Sequence, residues 1–139
     1  EYLGQVSGIR CINDSKSTNP DSVIAALRDF AGEVTLIMGG LDKDMDFRPV
    51  IPYLRASVKS IILIGSSAEG MQRLFSTETG IDIHTCSTME DAVEKGFDIT
   101  ARGGVLLLSP GCASMDMFTD YRDRGNRFKK AVFSKRYDS

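Results

Sequence analysis

Asp14, Lys16 and Thr18 share one short stretch, Asn13-Asp14-Ser15-Lys16-Ser17-Thr18-Asn19-Pro20. It places an anion, a cation, hydroxyls and amides side by side. Asn19 is a natural N-cap, and Pro20 fits a first helical turn, where a missing N–H costs nothing. Capping leaves Asp14, Lys16 and Thr18 unexplained. Two other stretches have the same polar character: Gly39-Gly40-Leu41-Asp42-Lys43-Asp44 and Ser109-Pro110-Gly111-Cys112-Ala113-Ser114. Together they offer Lys16 and Lys43 as charge partners, and the Ser15, Thr18, Ser109 and Ser114 hydroxyls with backbone amides as oriented donors. That set suits a small dianion, carboxylate or phosphate. Taken singly, each lysine is a solvated surface charge, so the case depends on the three stretches meeting. Asp14 and Asp42 have no fixed separation that would make them an acid/base pair. Either could meet a ribose hydroxyl or a substrate ammonium group.

Whether the stretches meet depends on the elements that carry them. Residues 2–6 and 9–12 are β-prone runs joined at Ser7-Gly8, which reads as a hairpin. After the first polar stretch, Val23, Ile24, Leu27, Phe30 and Ala31 recur at helical spacing and predict a helix over 21–31. Residues 33–38 read as a strand, in which residues 34–38 form a nearly continuous apolar run, the mark of a strand buried on both faces. Phe47, Val50, Ile51 and Leu54 give a helix that Pro49 and Pro52 keep short or irregular. Residues 58–64 are a second buried strand, 68–75 a short helix and 81–84 a weaker strand. Ser87 or Thr88 caps a helix to about residue 101. Residues 105–108 are the last strong strand, and 121–135 a terminal helix on which Phe128, Ala131 and Val132 pack. This alternation predicts a Rossmann-like α/β fold: a doubly wound, mostly parallel sheet with an antiparallel N-terminal hairpin or edge strand. The three polar stretches then follow strands at one sheet edge, where open α/β sheets bind ligands.

The chain has 139 residues, enough for one domain with a real core. A net charge of −2 gives no electrostatic case for nucleic acid or an anionic membrane. No apolar run approaches the roughly 20 residues that span a bilayer, and the N-terminus is no signal peptide. Cys11, Cys86 and Cys112 are odd in number and have no C-x-x-C spacing, which points to a reducing cytoplasm rather than a disulfide framework. Cys112 has no visible base partner and reads as a packing residue. His84, the only histidine, reads as half-exposed and structural. No metal ligand set and no catalytic residue is assigned. G-x-x-x-x-G-K-[ST] is absent, so no loop here cradles the phosphates of ATP. The basic run Arg122, Arg124, Arg127, Lys129 and Lys130 reads as a solvated helix face with interspersed acids. The start at Glu1 rather than methionine suggests a domain cut from something longer.

The first stretch resembles the N-D-S-K-x-T-N signature of the Mur ligase family, in its D-glutamate-adding branch. Gly39-Gly40-Leu41-Asp42-Lys43 with Asp46-Phe47 resembles that branch's G-G-x-x-K-x-x-D-F segment. Leu108 to Phe118, with Tyr121-Arg122-Asp123-Arg124-Gly125 and Phe128, resembles its L-S-P-x-x-A-S-x-D-x-F…F-x-x-R-G-x-x-F block. The resemblance covers essentially the whole chain, as the C-terminal domain of a three-domain enzyme. It implies an ATP-dependent ligase of peptidoglycan synthesis, with UDP-binding and P-loop ATPase domains outside this chain. ATP and Mg²⁺, bound mainly by the central domain, convert the carboxylate of UDP-N-acetylmuramoyl-L-alanine to an acyl phosphate. D-Glutamate attacks it, and the tetrahedral intermediate loses phosphate. By this resemblance Lys16, Thr18, Ser114 and the backbone at Met115 hold the D-glutamate carboxylates, Lys43 lies nearby and Tyr121 packs on the substrate. Asp14 meets the ribose or phosphates of ATP or ADP on domain closure. Tyr121 stands where the family often has Phe, and Met115 where Leu or Phe is common. A cytoplasmic monomer is expected, with the domain inactive alone. Rival readings are the same domain of a sister Mur or folylpolyglutamate-type ligase, a stand-alone nucleotide-binding α/β module, and an interaction domain using the basic last helix.

Overall fold

The computed structural model describes residues 1–114 and 116–137. Six strands form one sheet in the order β1-β2-β6-β3-β4-β5. β1 (Tyr2–Val6) and β2 (Ile9–Asn13) are antiparallel. β2, β6 (Val105–Leu108), β3 (Val34–Gly39), β4 (Val58–Ile64) and β5 (Asp82–Thr85) run parallel. The β1–β2 turn uses Ser7 at φ 53° and Gly8 at φ 80°, the left-handed pair of a tight hairpin turn. The predicted mixed sheet with an antiparallel N-terminal hairpin is the sheet observed.

Continuous apolar strands demand cover on both faces, and the side-chain alternation divides them. Leu36 and Met38 of β3, with Ile61 and Leu63 of β4, face one core. α1 (Pro20–Leu27), α2 (Ile51–Ser57) and α3 (Ala68–Glu78) close it with Val23, Leu27, Leu54, Met71 and Phe75. Ile37, Ile62, Leu106 and Leu108 face the other core. α4 (Met89–Ile99) and α5 (Tyr121–Ser134) close that one with Ala92, Val93, Phe128 and Val132. Each fully buried aliphatic side chain contributes about 1.5–3 kcal/mol, so the two cores hold the sheet as a rigid platform.

Most helix starts match their sequence signals. Asn19 accepts from the Ser22 amide at 3.0 Å and Thr88 from that of Asp91 at 3.0 Å. The ends differ more. α1 stops at Leu27 rather than continuing to 31, and the Phe30 amide bonds the Leu27 carbonyl in a closing turn. Phe30 still packs on the core, so its place in the apolar stripe came from the turn, not from helix; Ala31 is exposed. α2 is short and preceded by a single 3-10 turn, as its prolines require. α3 extends past the predicted 75 to Glu78.

A larger correction concerns the last helix. Arg124 is not on a solvated face: it is fully buried, on the same side of α5 as Phe128 and Val132. Arg127 is ion-paired with Glu90 at 2.9 Å. The basic run is therefore divided: Arg124 is buried, Arg127 and Lys129 are ion-paired, and Arg122 and Lys130 are exposed.

Candidate functional site

The three polar stretches follow β2, β6 and β3, which are adjacent strands of the sheet. All three loops leave the same edge, since these strands are parallel. They are also bonded to one another. The Gly111 amide bonds the Ser17 carbonyl at 3.1 Å, joining loop 109–114 to loop 14–18. The Gly39 amide bonds the Pro110 carbonyl at 2.9 Å, and the Leu41 amide that of Ala113 at 2.8 Å, joining loop 39–44 to loop 109–114. A fourth loop enters after β4. The Ser66 amide donates to Asp116 at 2.9 Å, and the Gly40 amide to the Ser67 hydroxyl at 3.0 Å.

Loop 14–18 takes its shape from its own sequence. The Asn13 side chain accepts from the Ser15 amide at 3.2 Å, and the Ser17 amide bonds the Asp14 carbonyl at 2.9 Å. This turn sends Ser15 and Ser17 inward, 5% and 1% exposed, and leaves Lys16 outward. Asp14 is half-buried and accepts from the Ser109 hydroxyl at 2.9 Å. Burial raises its pKa above the ordinary value, opposed by the Ser109 hydrogen bond and by the Lys16 charge.

Asp14, Lys16 and Tyr121 line one open cleft of about 530 Å³, with Arg122, Asn126 and Glu1. The Arg122 guanidinium lies 5.3 Å over the Tyr121 ring, which is exposed. Thr18, Lys43 and Ser114 are not in the walls of this cleft. Thr18 is half-buried on the same loop as Lys16. Ser114 is buried in loop 109–114, where its carbonyl accepts from the Phe118 amide at 3.0 Å. Lys43 is exposed on loop 39–44. That loop borders a separate cavity of about 370 Å³ lined by Asp42, Asp44, Asp46 and Arg48. Met115 lies outside the described residues.

The residue missed from sequence is Arg124. Its Nη1 donates to the Cys112 carbonyl at 2.7 Å, its Nη2 to the Ser15 carbonyl at 2.7 Å, and its Nε to the Ser15 hydroxyl at 3.0 Å. Burial lowers its pKa to about 10, so it stays charged at neutral pH. The signal was available: Arg124 precedes Phe128 by one helical repeat and so shares its inward stripe. Cys112, read as a packing residue, is buried, and burial pushes its thiol up to about 11. His84 is half-buried. Among the described residues no group of three or more His, Cys, Asp or Glu side chains could hold a metal.

An α/β domain that gathers polar loops from three neighbouring parallel strands at one edge is built to hold a small polar ligand there. Comparison with known proteins agrees with that class. Residues 1–112 match the model of the Mur ligase, glutamate ligase domain, and the chain belongs to that family. Three curated relatives carry the name UDP-N-acetylmuramoylalanine–D-glutamate ligase. The protein from Trichlorobacter lovleyi is 43% identical over 132 residues, covering 95% of this chain and 29% of its own length. The one from Caldanaerobacter subterraneus is 38% identical over 138 residues, covering 98% and 31%. The one from Clostridioides difficile is 36% identical over 132 residues, covering 95% and 29%. The chain thus spans about three tenths of the curated relatives it matches.

Proposed function

We propose that this chain is the C-terminal, amino-acid-binding domain of an ATP-dependent ligase that adds D-glutamate to UDP-N-acetylmuramoyl-L-alanine in peptidoglycan synthesis. The observation that carries this reading is the locking of loops 14–18, 39–44 and 109–114 together at one sheet edge, with Lys16 and Lys43 exposed on two of them. The names of the relatives supply the substrate. In this reading Lys16 and Thr18 engage one carboxylate of D-glutamate. Ser114 and the backbone at Met115 engage the other, and Lys43 adds long-range attraction. Tyr121 covers the carbon skeleton.

Asp14 faces the ribose or phosphates of ATP when domains close. ATP and Mg²⁺ are held mainly by the part of the ligase outside this chain, which also holds the UDP-linked substrate. That part delivers an activated acyl group, and the role of this domain is positioning and charge compensation. Closure of the domains is then an obligatory step. The enzyme works as a cytoplasmic monomer. Among the described residues no helix is long and apolar enough to cross a membrane.

The test compares the 139-residue chain with the intact polypeptide that contains it, supplied with ATP, Mg²⁺, UDP-N-acetylmuramoyl-L-alanine and D-glutamate. The intact protein releases phosphate only when all are present, and the chain alone releases none. Product formation by the chain alone would overturn the domain assignment. An intact protein that accepts lysine or diaminopimelate instead would overturn the substrate.

A further inference from the structure

We infer that Ser15 and Arg124 are positioning residues, which together fix the Lys16 and Tyr121 sides of the cleft to loop 109–114 before any ligand arrives. The substrate arm of this inference rests on the functional reading above. Arg124 is fully buried, and among the described residues its hydrogen-bond partners are carbonyls and a hydroxyl, with no carboxylate among them. A buried cation without an anionic partner is costly unless its donors are well satisfied. Here they are, by acceptors on two different loops. The planar fork of a guanidinium can reach Ser15 and Cys112 at fixed angles, which a lysine ammonium cannot reproduce.

Ser15 completes the link. Its one hydroxyl proton goes to the Tyr121 carbonyl at 2.7 Å, leaving a lone pair for Arg124 Nε. The Asn13 side chain adds a bond to the Gly125 carbonyl at 3.2 Å. One loop is thereby seated on the first turns of α5 and, through Arg124, on the loop that carries Ser114. Lys16 is the neighbour of Ser15, and Tyr121 begins α5. A shift at Ser15 therefore moves a proposed carboxylate partner and the ring opposite it together. A dianion is gripped from both sides only if that spacing holds, and a displacement near 1 Å can cost up to about a hundredfold.

The test uses Ser15→Ala, Arg124→Lys and Arg124→Met in the intact ligase. All three are expected to raise KM for D-glutamate at least about tenfold while KM for UDP-N-acetylmuramoyl-L-alanine, held outside this chain, stays within about twofold. Ser15→Ala removes one atom and serves if the arginine variants fail to fold. Arg124→Lys behaving like the parent would overturn the inference, since charge alone would then suffice. A parallel rise in both KM values with a lowered Tm would also overturn it, since that marks general loosening. A second measurement needs no substrate. In the 139-residue chain, Ser15→Ala is expected to speed hydrogen exchange at the Ser17 and Gly111 amides but not in β3 and β4. Unchanged exchange at Ser17 and Gly111 would refute the inference whatever the ligase acts on. An intact parent protein inactive with D-glutamate would refute the functional reading, with the exchange result still deciding this one.

Discussion

Lys16 and Arg124 are both cations of the same loop system, and burial gives them opposite roles. Lys16 is exposed, so its loss should leave the fold intact: Lys16→Ala is expected to keep Tm within about 2 °C while D-glutamate binding by the intact ligase falls sharply. Thermal melting beside a KM measurement checks both halves. Asp14 gives a pH signature. Its folded pKa is raised above its ordinary 3.8 by burial. The folded state therefore binds this proton more readily than the unfolded chain, and the contribution of Asp14 to stability falls as pH rises through the folded pKa. Asp14→Asn is accordingly expected to be at least as stable as the parent at pH 7, with the difference closing as pH drops toward 3.8. Melting curves across that range would show it, and a variant less stable at pH 7 would contradict it. At this scale the sequence was legible where a residue's surroundings are local. Asn19 as a cap follows from its neighbours in the chain. Arg124 was misread because a run of basic residues looks solvated until its register against Phe128 is counted.

Elements set the spacing of these residues, and two glycines mark close approaches between them. Gly39 ends β3 at φ 110°, and a Cβ there would lie 2.2 Å from the Ile64 carbonyl oxygen on the neighbouring strand. Gly39→Ala combines a strained backbone with a backbone clash and should cost on the order of 3 kcal/mol, read by denaturant unfolding. Gly125 lies where α5 rests on loop 14–18, and its added Cβ would meet Asn13 Nδ2 and Ser15 Cβ at 3.1 Å each. Gly125→Ala should cost less, about 1–2 kcal/mol, but shift the loop and so weaken D-glutamate binding. Strands were readable almost to the residue because continuous apolar runs have little alternative to a doubly covered sheet. Helix ends were less readable. α1 stops at Leu27 although Phe30 continues the stripe, because a closing turn buries Phe30 as well as a helix would.

At the scale of the molecule, parallel strands convert three distant stretches of sequence into one edge. That convergence was predictable from alternation alone, since strand C-termini in such sheets share a side. The bonds that lock the loops were not predictable, because Gly111 to Ser17 and Arg124 to Cys112 depend on the strand order β2-β6-β3. The central claim is that this edge recognises D-glutamate. Backbone NMR of the 139-residue chain, titrated with D-glutamate and separately with L-glutamate, tests it most directly. The account predicts shifts confined to Lys16, Thr18, Ser114 and their neighbours, produced by the D isomer and much weaker with the L isomer. Equal responses to both isomers, or shifts centred away from loops 14–18 and 109–114, would contradict it.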